Sequence, residues 1–137
     1  MKILITGSAG HLGEALMRTL QNSDHHAIGL DKKTSPFTER VGSITNRLFV
    51  KECLHGMDAV IHAATLHKPH IATHTRHDFV DTNITGTLNL LEEAAASGVK
   101  SFIYTSTTSA FGRALTPPEG TPAAWITEEV ASVPKNM

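Results

Sequence analysis

The stretch TGSAGHLG, Thr6 to Gly13, decides the fold. Glycines stand at 7, 10 and 13, directly after the apolar run KILIT (2–6) and directly before LGEALMRTLQN, whose leucines at 12, 16 and 20 recur at helical spacing with Ala15 and Met17. A glycine-rich turn between a strand and a helix is the setting that suits an anionic phosphate. Gly7 permits the tight turn, Gly10 lets a pyrophosphate approach the backbone, and Gly13 lets the helix pack close to the sheet. The amides near His11 and Leu12 then face the anion at the positive end of the helix dipole.

Outward from this turn the chain alternates strand and helix patterns, as parallel βαβ units require. HAIGLD (26–31) reads as a second strand, FTERV (37–41) as a weak third and DAVIHAA (58–64) as a fourth. A helix is expected at 47–54, one long helix from about His74 to Ala96 closed by Gly98, and a fifth strand in VKSFIYTS (99–106). Pro117, Pro118, Pro122 and Pro134 predict mostly loop beyond Gly112, with at best a helical turn near Thr127–Val130. The expected architecture is α/β, a Rossmann-type doubly wound parallel sheet of about five strands, truncated. Residues 1–113 form its nucleotide-binding half and 114–137 a proline-rich lead-out.

Asp31 closes the second strand, 18 residues after Gly13, where a carboxylate accepts hydrogen bonds from adenosine ribose hydroxyls. It favours NAD, since a 2′-phosphate would meet a like charge, although Lys32 and Lys33 beside it could neutralise one.

Composition narrows the partners. The chain has 137 residues, 40% hydrophobic, and a net charge of −1 from 12 basic and 13 acidic residues, which gives no footprint for nucleic acid or an anionic membrane. Only five residues precede the glycine turn, too few for a signal-peptide core, so a cytoplasmic location is expected. Cys53 is the one cysteine and reads as helix packing. Among nine histidines, His67, His70, His74 and His77 would share a face of one continuous helix and could ligate a divalent metal. Pro69 interrupts such a helix, so solvated surface is the better reading, and no metal site is assigned. His62, inside the fourth strand, reads as a hydrogen-bonded interior histidine.

Four segments in order resemble the extended short-chain dehydrogenase/reductases of the NAD-dependent epimerase/dehydratase type: TGSAGHLG (6–13), DAVIHAAT (58–65), NITGTLNLL (83–91) and VKSFIYTSTTSAFG (99–112). The resemblance implies bound NAD and a small-molecule substrate such as a nucleotide sugar. It implies cofactor contacts at Gly7, Gly10, His11, Leu12, Gly13, Asp31, Ser43, Ile44, Ala63, Ala64, Asn83 and Thr105. It places the catalytic hydroxyl on Thr107, which would hydrogen-bond the reacting oxygen of the substrate. It also suggests a homodimer through helix 74–96, whose Leu88, Leu91 and Ala95 could serve that or the core, the core being the default for such a stripe. Lys68 and His70 would border the substrate.

There are departures. Ser43 stands where an aspartate commonly meets the adenine, and Phe111 where tyrosine is usual. The family's general base is the tyrosine of YxxxK, and the only tyrosine here, Tyr104, is followed four residues later by Thr108. The chain as written is therefore expected to be a fragment without turnover. A non-catalytic dinucleotide-binding module is the alternative.

Overall fold

A computed structural model describes residues 1–133. Two compact units divide the chain, Met1–Thr105 and Ser106–Met137. The first contains β1 (Lys2–Thr6), α1 (His11–Leu20), β2 (His26–Asp31), β3 (Arg40–Val41), α2 (Arg47–Leu54), β4 (Ala59–His62), a 3-10 turn (Lys68–Ala72), α3 (Arg76–Val80), a π-helical segment (Asp81–Gly86), α4 (Thr87–Ala96) and β5 (Ser101–Tyr104). All five strands pair in parallel in the order β3-β2-β1-β4-β5. This is the expected Rossmann-type sheet.

Strand alternation builds a core on each face. Ile3 and Ile5 of β1 turn towards Met17 of α1, with Leu16 and Leu20 alongside. Leu4 points the other way, joining Ile28, Leu30, Val60 and the apolar sides of α2 and α4, including Val50, Leu54, Leu90 and Ala94. Cys53 is buried in that second cluster, and burial pushes its thiol pKa up, so it packs as a small apolar side chain. Arg47 of α2 reaches Glu93 and Glu92 of α4 at 2.6 Å each, clasping the two helices above the sheet.

Several elements differ from the sequence pattern. The expected strand 37–41 shrinks to Arg40–Val41, because the chain after Pro36 folds back over β2, where Glu39 N donates to Gly29 O at 3.0 Å. β4 and β5 are shorter than expected, at four residues each. On α1 the buried residues are Gly13 and Met17, while Leu12 and Ala15 are exposed. The helix has turned its glycine, not its first leucine, to the sheet.

The expected single helix 74–96 starts only at Arg76 and carries the π-helical segment in its middle. Thr75 and Asp78 close a reciprocal capping box at its start. Its end is as expected. Gly98, with φ +73°, follows the last turn, Val99 N donates to Ala94 O and Gly98 N to Ala95 O, a complete Schellman motif.

The second unit contains two 3-10 turns, Thr108–Phe111 and Arg113–Leu115, and a parallel bridge between Gly112 and Val133. The turn expected near Thr127 is present, with Val130 N donating to Thr127 O at 3.2 Å. Residues 134–137 of the expected lead-out lie outside the described residues.

Polar groups buried between the layers are hydrogen-bonded; among the described residues no buried side-chain nitrogen or oxygen lacks a partner. His62 anchors the largest such network. Thr87 Oγ1 donates to the Asn83 carbonyl at 2.9 Å, so its contact with His62 Nε2, also 2.9 Å, is one it accepts. The ring proton is thereby assigned to Nε2. Nδ1 then accepts the Thr6 hydroxyl at 2.6 Å, and Thr6 Oγ1 accepts the Ala64 amide at 3.2 Å. One directed chain ties β1, the end of β4 and the π-helical segment together.

Burial lowers the His62 pKa from 6.5 to about 4. The folded state holds the ring neutral, so this contribution to stability is complete above pH 6.5 and is lost as pH falls towards 4. The loss reaches about 1.4 kcal/mol per pH unit. Urea unfolding at pH 7, 6 and 5 should show the native protein losing stability more steeply than His62→Gln. Parallel pH dependences would mean that the folded ring takes up its proton normally.

Candidate functional site

The glycine turn is shaped by two close approaches. Gly7, at φ +79°, turns so tightly beside β4 that a Cβ there would lie 2.8 Å from Ala64 N. At Gly13 a Cβ would stand 2.0 Å from the carbonyl oxygen of Gly7. Only a glycine lets the first turn of α1 sit on the turn that precedes it.

Gly10 N donates to Gly7 O at 2.9 Å and closes the loop. Gly10 is exposed and is the N-cap of α1, with no side-chain acceptor to occupy the first-turn amides. A Cβ there would meet only the Gly7 carbonyl oxygen, at 3.2 Å, so the outer side of the turn is open to a ligand. This arrangement fits a pyrophosphate: first-turn amides without a side-chain cap at a positive helix end, and no side chain at Gly10 in the way.

Asp31 stands beside this turn. Its Oδ2 accepts the Ala9 amide at 3.1 Å and its Oδ1 the Lys33 amide at 2.9 Å. Each carboxylate oxygen keeps a further lone pair for a ligand hydroxyl. Ala63 and Ala64 follow β4 on the other side, with Ala63 N donating to Thr6 O at 3.2 Å. Gly7, Gly10, Gly13, Asp31, Ala63 and Ala64 thus converge at the C-terminal ends of β1, β2 and β4, where doubly wound sheets take their ligands.

Asn83 clamps the next stretch. Its Oδ1 accepts the Leu66 amide and its Nδ2 donates to the Leu66 carbonyl, both at 2.8 Å. Ser43 Oγ lies 2.8 Å from Thr45 Oγ1 and accepts the Thr45 amide, while the Ile44 side chain is buried in the core against Gly86. Any ligand contact at Ile44 therefore falls to its backbone.

Sequence reasoning missed Asn89. This buried side chain donates to the carbonyls of Ile44 and Thr45 and holds the 43–45 segment from beneath. It also missed Thr6 and Thr87, which flank His62. The signal lay in NITGTLNLL, where Thr87 and Asn89 recur at four and six residues after Asn83.

The histidine run does not form one helix. His67 and His70 belong to the 3-10 turn region, and the His74 ring lies 5.5 Å from that of His70. His70 Nδ1 accepts the His67 amide, and His74 Nδ1 contacts Thr73 Oγ1 at 2.9 Å. Among the described residues no group of three or more histidines, cysteines or acids could hold a metal. Asp78 serves the capping box, and the Thr75 hydroxyl and amide hold its carboxyl below the usual range.

Thr105 is exposed at the end of the first unit, its amide donating to His62 O at 3.0 Å. Thr107 belongs to the second unit. It is exposed and caps the 3-10 turn Thr108–Phe111, its Oγ1 accepting the Ser109 amide at 3.2 Å. That bond uses the oxygen as acceptor and leaves the hydroxyl proton free to be donated.

Known proteins share this fold. The chain is 32% identical over 129 residues to a UDP-glucose 4-epimerase of Klebsiella pneumoniae, across 82% of this chain and 93% of that sequence. An Erwinia amylovora UDP-glucose 4-epimerase is likewise 32% identical, but only 38% of its length is covered. A short-chain dehydrogenase/reductase superfamily protein from Agrobacterium tumefaciens, solved with bound NAD, superposes with a TM-score of 0.82 at 29% identity. That match covers 99% of this chain and 40% of the Agrobacterium protein. The chain thus spans about two fifths of the Erwinia and Agrobacterium proteins. The family model of the NAD dependent epimerase/dehydratase family matches residues 3–131, nearly the whole chain, and the chain belongs to that family.

Proposed function

We propose that these residues are the NAD-binding portion of an epimerase, dehydratase or dehydrogenase that acts on a nucleotide sugar or similar hydroxyl substrate. The observation that carries this reading is the convergence of open first-turn amides, the bare Gly10 and the Asp31 carboxylate in a chain whose family is NAD-dependent. Relatives support the substrate class: a Thermotoga maritima UDP-glucose 4-epimerase, solved with UDP-glucose, is 29% identical with a TM-score of 0.73.

NAD, when bound, supplies a hydride acceptor and donor. In this reading the amides of His11, Leu12 and Gly13 hold the pyrophosphate and Asp31 holds the adenosine ribose diol. The Ser43–Ile44 backbone flanks the adenine, and Ala63, Ala64, Asn83 and Thr105 line the path towards the nicotinamide. Thr107 donates its hydroxyl proton to the reacting oxygen of the substrate and so orients it for proton removal. Residues 1–113 serve the cofactor and 114–137 lead towards substrate-binding elements. No YxxxK occurs within these residues, so they bind cofactor without turnover.

Two further assignments belong to the same reading. The protein works in the cytoplasm; among the described residues no helix is long and apolar enough to cross a membrane. It pairs with a second copy through the outer face of the 76–96 helical run, where Val80, Ile84, Leu88 and Leu91 form an exposed apolar stripe at spacings of four, four and three.

Calorimetric titration should show Asp31→Ala weakening NAD about tenfold, the worth of a hydrogen bond to a charged group, with a smaller effect on NADP. Equal changes for both would remove Asp31 from the ribose site. In a polypeptide that includes a YxxxK tyrosine, Thr107→Ala should lower kcat by about 10²- to 10⁴-fold with the NAD Kd nearly unchanged. Loss of both together would assign Thr107 a structural role instead. Sedimentation velocity should show a dimer that Leu88→Glu converts to monomer, and a monomeric parent protein would rule out pairing through this stripe.

A further inference from the structure

The hydroxyl of Ser8 has no obvious place in a phosphate-binding turn, yet it is completely buried there. Ser8 Oγ lies 2.8 Å from Thr38 Oγ1, and Thr38 Oγ1 lies 2.8 Å from Ser35 Oγ. Ser35 Oγ accepts the Phe37 amide at 3.1 Å, which leaves its own proton free for Thr38. Three hydroxyls therefore bridge the glycine turn to the loop between β2 and β3.

Other contacts press the same loop down. A Cβ on Gly29 would stand 1.9 Å from the Phe37 carbonyl oxygen and 2.7 Å from Ser8 Cβ, so the loop lies directly on β2 and on the turn. Arg18 of α1 covers the Phe37 ring at 4.6 Å. At the base of the loop, Asp31 is tied to Ala9 of the glycine turn and to Lys33 of the loop itself. Lys32 and Lys33, both exposed, are the loop's first residues.

We propose that Ser8, Thr38 and Ser35 are positioning residues for cofactor choice. Their bridge holds the 32–39 loop in the one arrangement that presents Asp31 to a ribose diol and keeps Lys32 and Lys33 from pairing with a 2′-phosphate. The proposal rests on the placing of Asp31 at the ribose. The chemistry is a contest between neighbours. A carboxylate accepts hydrogen bonds from a diol and repels a phosphate, while two ammonium groups one and two residues along attract that phosphate. Which of them meets the ligand depends on the loop's conformation, and a freed loop lets the long lysine side chains turn towards the ribose.

Titration of NAD and of NADP into the native protein, Thr38→Val, Thr38→Ser and Asp31→Ala tests this. Thr38→Val keeps the side-chain shape and removes both hydroxyl contacts. It should weaken NAD about three- to tenfold, the span of one net hydrogen bond, and leave NADP unchanged or tighter. The ratio of the two Kd values then falls at least about threefold, and Thr38→Ser should restore it. An unchanged ratio, or an equal loss for both cofactors, would overturn the proposal, because a merely structural bridge weakens both alike. Asp31→Ala separates the two ideas. If it leaves the ratio unchanged, the ribose reading itself fails; if it shifts the ratio while Thr38→Val does not, only the bridge proposal fails. Should Thr38→Val not fold, Ser35→Ala, which cuts the outer half of the bridge, decides by the same ratio with a smaller expected fall.

Discussion

The approach of residue 13 to the carbonyl of residue 7, where a Cβ would stand only 2.0 Å from the oxygen, is the constraint on which the rest depends. Because that atom is absent, α1 begins almost in contact with the end of β1, and its first-turn amides open onto the C-terminal edge of the sheet. The same contact turns Gly13 and Met17 inwards and leaves Leu12 in solvent. A larger residue would push the helix outwards and separate its positive end from Asp31. The cost would be overpacking against backbone, which has no rotamer to yield.

Around this contact the polar groups form a continuous frame. One branch runs from Ala64 through Thr6, His62 and Thr87 to Asn83, and the Asn83 side chain then clamps Leu66. Another runs from Ser8 through Thr38 to Ser35, with Asp31 bonded to Ala9 beside it. A parallel sheet covered by helices offers little water to buried polar atoms. Each hydroxyl, amide and imidazole in these branches therefore has a protein partner, and the links Thr6–His62, His62–Thr87 and Ser8–Thr38 each join different elements. The frame ties the loops at the ends of β1, β2 and β4 to their neighbours, which is what a dinucleotide site needs if ordering those loops is not to weaken binding.

The π-helical segment at Asp81–Gly86 belongs to the same frame. A regular helix from 76 to 96 would carry Asn83, Gly86, Thr87 and Asn89 at regular angular intervals. The wider turn lies where Asn83 must reach Leu66, Gly86 must admit Ile44 and Thr87 must meet His62. Periodicity could not reveal it, because the leucines and alanines at 88, 90, 91, 94 and 95 all follow the segment and keep their own helical spacing whether or not a residue is inserted before them.

The sequence by itself determined the order of strands and helices, the glycine turn, Asp31 at the end of β2, the Gly98 terminator and the interior character of His62 and Cys53. All of these rest on local chemistry: conformations that only glycine tolerates, periods of two and 3.6, and a single charge at the end of an apolar run. Only the tertiary structure decided that FTERV yields most of its strand to a loop lying on Gly29, that the histidine run breaks into separate turns, and that Thr6, Thr38, Thr87 and Asn89 are structural partners. The roles of the threonines and Asn89 depend on contacts between residues some 25 to 56 positions apart, and a threonine at the surface and one sealed between layers read identically until the layers close over it.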